Sequence, residues 1–295
     1  MQRLNEPDVA EVALTAVVMQ QACAQMPLLG PPFQRWNPRS DGQASTEFHR
    51  IDAGVMVRFP GLADFVVTGS GVTCIPVPGT GQTWRSLYEQ QVHPLVLAHH
   101  GAPIFHGGAV VVDGGAVAFL APSGRGKSTL TTAFARRGMP FLSDDCLQLH
   151  LGSDIMVMPQ QAFVRLWEDS VANVAPQTAD RIFGTGSSKP RVLAGSELLH
   201  CNRPMPLRAV YVIDSMQPAE PAVMQLSPAQ ALMAWTANAF VLDIKSHEVL
   251  RRTMVTASRL AHALPVSLLA YPRDYAMLDA VVATILADLS TRGDR

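Results

Sequence analysis

The chain has 295 residues, of which 48% are hydrophobic and 16% are charged. This composition excludes a largely disordered chain, and at about 150 residues per domain the length predicts two domains. The formal net charge of −1 provides no global basic field, so neither nucleic acid nor a membrane is expected as a partner. The four cysteines lie far apart and the apolar runs are short, which favours reduced thiols and a cytoplasmic location.

Residues 1–100 predict a smaller α+β N-terminal domain without a catalytic motif. Apolar residues recur at helical spacing over 9–17, and a polar, proline-containing loop is expected over 27–43. Three short strands separated by glycine and proline, followed by a helix, are predicted at 54–59, 65–68, 72–76 and 84–99. We interpret this part as an accessory domain, with substrate binding as the functional alternative.

Residues 101–295 predict an α/β domain. Two strands flank the turn Asp113-Gly114-Gly115, whose residues tolerate positive φ, and a glycine-rich stretch follows the second of them. Ser227-Pro228-Ala229-Gln230 is a capping-box pattern that opens a helix. In chain order the predicted elements are strands at 107–112 and 116–120, a helix at 127–137, strands at 139–142, 146–151 and 155–159, helices at 227–240 and 246–263, a strand at 266–270 and a helix at 275–289.

The glycine-rich stretch carries the clearest chemical signal. Residues 121–129 read Ala-Pro-Ser-Gly-Arg-Gly-Lys-Ser-Thr, between a predicted strand and a predicted helix. The glycines let backbone N–H groups converge on a phosphate at a helix N-terminus, Lys127 can reach the β- and γ-phosphates, and the Ser128 hydroxyl can ligate Mg²⁺. The one departure from the P-loop pattern is Ala121 in place of glycine. The stretch predicts ATP and Mg²⁺ as cofactors, bound by Ser123, Gly124, Arg125, Gly126, Lys127, Ser128 and Thr129.

A pair of carboxylates, Asp144 and Asp145, follows the next predicted strand. A crossover through the helix brings that strand back parallel to the first, so its end is expected beside the loop. One carboxylate could lie near Mg²⁺ and the other could accept a proton from an attacking hydroxyl. Since the side chains of adjacent residues on a strand point to opposite faces, both aspartates can reach the same site only if the strand has ended and the chain has turned. Adjacency alone does not assign the two roles.

Three further basic residues are candidates for the same site. Lys189 and Arg191 lie in a polar segment that could close over a triphosphate and add positive charge, or be an ordinary solvated loop. Arg165 could approach the substrate or form a salt bridge at a strand end.

The segment from His106 to Asp145 resembles the HPr serine kinase/phosphorylase family, which shares its fold with phosphoenolpyruvate carboxykinases. The resemblance rests on the His106-Gly107 strand, the hairpin, the 121–129 loop, Arg137-Gly138 and the aspartate pair. It implies a P-loop kinase domain that transfers phosphate from ATP to a serine hydroxyl with Mg²⁺. By the same resemblance Asp144 would be the general base, Asp145 and Ser128 the metal ligands, Lys127 a phosphate contact, and His106 an active-site residue that positions a carboxylate or phosphate.

The chain departs from that family after the aspartate pair. Residues 163–169 keep Arg165 but lack the Glu-x-Arg-Gly-x-Gly signature that the family associates with phosphorolysis. The chain therefore resembles the divergent kinases of bacterial peptide-modifying gene clusters, such as those for lasso peptides, and a forward reaction alone is expected. The expected acceptor is a serine-bearing peptide or small protein, for example a ribosomal precursor peptide.

Two other functions stay open at the level of sequence. The same loop could bind a nucleotide in a regulator that transfers nothing, or it could serve a small-molecule kinase. The paired aspartates favour chemistry, since a pure binder needs no base. The sequence is also compatible with a homo-oligomer.

Overall fold

The computed structural model describes residues 17–28, 30–38, 44–175, 180–182 and 189–293. The chain divides into two compact units, Met1–Gly101 with Leu242–Lys245, and Ala102–Val241 with Ser246–Arg295. Together they form a mixed α/β protein with several sheets. No helix among the described residues is both long and apolar enough to cross a bilayer.

The first unit contains a six-stranded sheet in the order β1-β6-β5-β4-β3-β2, antiparallel except for the pair β1 and β6. Its core is aromatic and aliphatic, including Phe48, Phe65 and Leu95, each fully buried. Its elements are β1 Val17–Met19, β2 Gln34–Pro38, β3 Ala44–Ile51, β4 Gly54–Phe59, β5 Ala63–Thr68, β6 Gly71–Pro76, α1 Thr83–Leu87, a π-helical turn Tyr88–Val92 and α2 His93–His99.

Two expectations for this unit need correction. Val17, the last residue of the predicted first helix, lies in β1, where it pairs with Val72; residues 9–16 of that prediction lie outside the described residues. Strand β2 occupies part of the predicted loop, because Gln34 and Trp36 pair with β3.

The second unit is built on a sheet in the order β10-β8-β9-β16-β18-β17. Its strands are β7 Ile104–Phe105, β8 Gly107–Val112, β9 Gly115–Leu120, β10 Phe141–Ser143, β11 Leu147–Leu151, β12 Ile155–Val157, β13 Phe163–Arg165, β14 Arg181–Ile182, β15 Arg191–Leu193, β16 Met205–Ile213, β17 Ala222–Gln225 and β18 Val266–Ala270. The short strands β7, β11 and β12 extend from the start of β16, and β13, β15 and β14 form a separate small sheet.

The directions of these strands bring four strand ends to one edge. Strands β9, β16 and β18 are mutually parallel, and β10 runs with β9 because both are antiparallel to β8. The carboxyl ends of β9, β10, β16 and β18 therefore lie at the same edge, together with the start of β8. Ligands of open α/β sheets bind outside this kind of edge.

Helices cover both faces of the sheet. The helices are α3 Lys127–Ala135, α4 Glu168–Val174, α5 Pro228–Ala237, α6 His247–Ala263, a 3-10 turn Tyr275–Met277 and α7 Leu278–Gly293. Phe119 of β9 packs on one side with Phe134 and Ile285, while Leu120 packs on the other with Trp235 and Leu260. Burial on both faces explains why β9 is apolar at every position rather than alternating.

Candidate active site

The glycine-rich loop, defined here as residues 121–126, joins the end of β9 to the start of α3. Gly124 and Gly126 have φ of 78° and 93°, in the left-handed region that favours glycine. No side chain of the described residues caps α3, and the first helical bond runs from the Leu130 N–H to the Gly126 carbonyl. The N–H groups of the first turn therefore remain available to an anion, which the helix dipole also favours.

Lys127 is buried at this helix N-terminus, with 4% of its surface exposed. Its Nζ donates to the Ala121 carbonyl at 2.7 Å and to the Pro122 carbonyl at 3.1 Å, and lies 2.9 Å from His106 Nε2. Burial lowers the pKa of Lys127 to about 8, although the carboxylates of Asp145 and Asp144 oppose the shift. The ammonium is thus a largely desolvated point charge attached to the loop.

His106, just before β8, joins Lys127 to the aspartate pair. An ammonium group only donates, so His106 Nε2 accepts from Lys127, and Nδ1 carries the proton toward the Asp145 carbonyl oxygen 3.1 Å away. Burial and the charge of Lys127 lower the pKa of His106 to about 4. The imidazole is therefore neutral at pH 7 and positions both the lysine and the backbone of Asp145.

The two aspartates diverge because the chain turns after β10. Asp145 has a φ of 65°, and its Oδ2 accepts from Arg165 Nη2 at 2.5 Å. Burial alone would raise the pKa of Asp145, but the charge of Arg165, aided by Lys189 and Lys127, lowers it. Asp145 is thus held ionised by surrounding cations.

Asp144 points to a different environment. Its Oδ2 accepts from the Arg165 backbone N–H at 2.8 Å. Its Oδ1 is buried and has no hydrogen bond of ordinary geometry within the described part of the chain, although the Ser128 hydroxyl lies close enough to lower its pKa. Burial and the charge of Asp145 outweigh the effect of these hydrogen bonds and raise the pKa of Asp144 to about 6.

A cavity of about 260 Å³ lies at this site. The sequence-predicted residues that line it are Gly124, Arg125, Gly126, Lys127, Ser128, Thr129, Asp145 and Lys189. Ser123 is exposed and lies outside the lining. His106 and Asp144 are partly buried and also lie outside it. Arg191 also lies outside it, with its guanidinium 4.7 Å from the Phe163 ring centroid. Arg165 both lines the cavity and forms the predicted salt bridge, and residues 184–188 of the predicted closing loop lie outside the described residues.

Sequence reasoning missed two walls of the cavity. One is the segment after β18, where Arg273 Nη1 donates to the Gly124 carbonyl at 3.2 Å and Tyr271 lies against Gly126. The other is the start of α4, with Trp167, whose ring centroid lies 4.8 Å from Lys189 Nζ. The position of residues 271–275 after an apolar, strand-like run could have indicated the first wall, since such strand ends share an edge of the sheet.

The donor set fits a phosphate chain with Mg²⁺. The uncapped amides of α3 and the buried Lys127 suit phosphate oxygens, and Ser128 and Asp145 offer the oxygen ligands that Mg²⁺ prefers. No group of three or more His, Cys, Asp or Glu that could hold a metal occurs in the described ranges.

The fold and the site thus define a mixed α/β protein with a cavity, lined by several basic side chains, at the carboxyl edge of a sheet. No protein-family model matches the chain, and no curated protein matches it. Among solved structures, the HPr(Ser) kinase/phosphatase from Coxiella burnetii is similar over 64% of this chain and 98% of that chain, with 11% sequence identity and a TM-score of 0.34. A likeness of that extent assigns no activity.

Proposed function

We propose that this chain is an ATP- and Mg²⁺-dependent kinase that transfers the γ-phosphate to a serine hydroxyl of a peptide or small protein. The observation that carries the proposal is the buried Lys127 at an uncapped helix N-terminus, in one cavity with Asp145 and Arg165. Backbone N–H groups of the glycine-rich loop and of the first turn of α3 would bind the phosphates. Lys127 would exchange its contacts with loop carbonyls for phosphate oxygens.

The aspartate pair, Ser128 and the neighbouring cations then have defined tasks. Ser128 and Asp145 would hold Mg²⁺, which neutralises phosphate charge when bound. Asp144, with a pKa of about 6, would accept the proton of the acceptor hydroxyl, because a base poised near the working pH transfers protons most effectively. Arg165 and Lys189 add positive charge where negative charge spreads in the transition state.

Transfer is favoured over nucleotide binding alone by the state of the aspartates. A regulator that only binds a nucleotide gains nothing from Asp144, whose ionised form is destabilised by burial and by the charge of Asp145. The choice of a serine-bearing peptide over a small molecule rests on the sequence resemblance.

The proposal is tested by incubating the full chain with ATP, Mg²⁺ and candidate serine peptides, and by searching for one added phosphate by mass spectrometry. The expected product is a phosphoserine peptide whose formation requires Mg²⁺ and Lys127. Nucleotide binding without a phosphorylated product across peptides and small hydroxyl compounds would support the regulator instead, and phosphorylation of a small compound alone would support the small-molecule kinase.

A further inference from the structure

A chain of hydroxyl groups runs along the cavity wall from α3 to a carboxylate. Thr129 Oγ1 lies 3.2 Å from Ser170 Oγ, which lies 3.0 Å from Tyr275 Oη, and Tyr275 Oη donates to Asp169 Oδ2 at 2.8 Å. Because each hydroxyl has one proton and that of Tyr275 goes to Asp169, Ser170 donates to Tyr275 and Thr129 donates to Ser170. The network fixes the Asp169 carboxylate at the cavity, and the mechanism proposed above does not use it.

Three aspartates line the cavity: Asp145 pairs with Arg165, Asp274 caps the 3-10 turn through the Ala276 N–H, and Asp169 ends the hydroxyl chain. Five cationic side chains line the same cavity: Arg125, Lys127, Arg165, Lys189 and Arg273. A carboxylate among them weakens binding of a triphosphate, so electrostatic attraction to phosphate does not account for it. A carboxylate does accept hydrogen bonds from neutral hydroxyl groups, and an acidic residue binds ribose hydroxyls in dinucleotide sites.

The order of residues indicates which part of a nucleotide would meet Asp169. Lys127 and Ser128 are assigned to the phosphates and metal, and Thr129 is the next residue of the same helical turn. The hydroxyl chain leads from Thr129 to Asp169 in three hydrogen bonds. We propose that Asp169, positioned by Tyr275, binds the ribose 2′- and 3′-hydroxyls of the phosphate donor and selects ribonucleotides. This inference rests on the proposed function.

Asp169 also lies in the first turn of α4, where any acidic residue gains from the helix dipole. Glu168 occupies the same turn, is exposed and does not line the cavity, which makes Glu168→Gln a matched control. It removes the same charge from the same helix end without touching the proposed ribose contact.

Isothermal titration calorimetry of the full chain with Mg²⁺ separates these contributions, using ATP, 2′,3′-dideoxy-ATP and inorganic triphosphate. The wild-type chain is expected to bind ATP about tenfold more tightly than dideoxy-ATP, because dideoxy-ATP lacks the hydroxyls that would form charge-assisted hydrogen bonds with Asp169. Asp169→Asn should abolish most of that preference without weakening triphosphate binding. Tyr275→Phe should reduce the preference in part, and Glu168→Gln should keep it.

Two outcomes would overturn the ribose assignment while leaving the nucleotide site intact. One is equal affinity of the wild-type chain for ATP and dideoxy-ATP, and the other is an equal loss for all three ligands in Asp169→Asn. If the wild-type chain binds neither ATP nor triphosphate, the proposed function fails, and the ribose assignment fails with it.

Discussion

At the scale of single residues, Lys127 is held where a phosphate would compete for it. Its ammonium donates to two loop carbonyls and to His106. We expect Lys127→Met, which keeps most of the volume, to lower kcat by about 10²–10³-fold, the usual loss for one electrostatic contact in a transition state. Transfer kinetics and circular dichroism measure the effect on activity and on the fold.

The matched control for this change is Lys245→Ala, since Lys245 is exposed and does not line the cavity. This substitution should leave both kcat and the circular dichroism spectrum unchanged. Wild-type turnover of Lys127→Met would reject the phosphate-binding role of the loop.

The aspartate pair allows a prediction with a pH dependence. The pKa of Asp144 is raised to about 6, so the carboxylate can accept a proton only above that pH. The rate should therefore rise with pH through about 6 in the wild-type chain. Asp144→Asn should lose about 10²–10⁴-fold in kcat and lose this limb of the profile.

Asp145→Asn should instead raise the Mg²⁺ concentration needed for half-maximal rate, because a ligand charge is removed. Rates titrated with Mg²⁺ for both variants assign the roles. A reversed pattern would exchange base and metal ligand, and normal kcat in both at saturating nucleotide would mean that neither is the base.

At the scale of elements, the glycine-rich loop can be probed by a matched pair of substitutions. Gly124→Ala and Gly126→Ala both place a methyl group at positive φ, which costs about 1–2 kcal/mol. Only at Gly126 would the new Cβ also meet Tyr271 Oη, at 2.9 Å, whereas nothing lies within 4 Å at Gly124. We expect Gly126→Ala to be the more destabilising of the two in thermal unfolding.

Combining Gly126→Ala with Tyr271→Phe removes the clashing oxygen and tests this reason. Gly126→Ala should destabilise the Tyr271→Phe protein less than it destabilises the wild-type protein. Equal destabilisation by the two glycine variants would show that strain alone acts at both positions.

Local sequence signals predict many elements of the second unit, and long-range strand pairing explains the ones that they do not predict. The strand Gly107–Val112 and the Ser227 capping box occur as expected, because turn and cap chemistry are local. The predicted crossover is parallel, but β8 lies between β9 and β10, which strand order in sequence does not reveal. Strand β16, central to the sheet, was not predicted, although Ala209–Ile213 is an apolar run with β-branched and aromatic residues.

The candidate site divides in the same way. The contiguous residues 124–129 line the cavity because one turn and one helix end position them. Tertiary packing brings in Asp169, Arg273 and Tyr275 from distant segments, so no local spacing marks them. Arg191 pairs opposite Arg165 in β15, but its guanidinium packs against the Phe163 ring instead of lining the cavity.

At the scale of the whole molecule, each unit has its own buried core. Phe48 and Phe65 belong to the first unit, while Phe119 and Trp235 belong to the second. Separate cores allow separate cooperative unfolding. A ligand that binds only the native second unit should therefore stabilise that unit selectively, by RT ln(1 + [L]/Kd).

With ATP and Mg²⁺ at 100 times Kd, this stabilisation is about 2.7 kcal/mol. For a unit of this size, the thermal midpoint should rise by about 5–10 °C. Hydrogen exchange of peptides from 102–175 and 246–293 should slow, while peptides from 44–101 should exchange as before. Lys127→Met should remove the effect. Equal protection of both units would instead mean that they unfold as one cooperative body, and protection that survives Lys127→Met would place the nucleotide elsewhere.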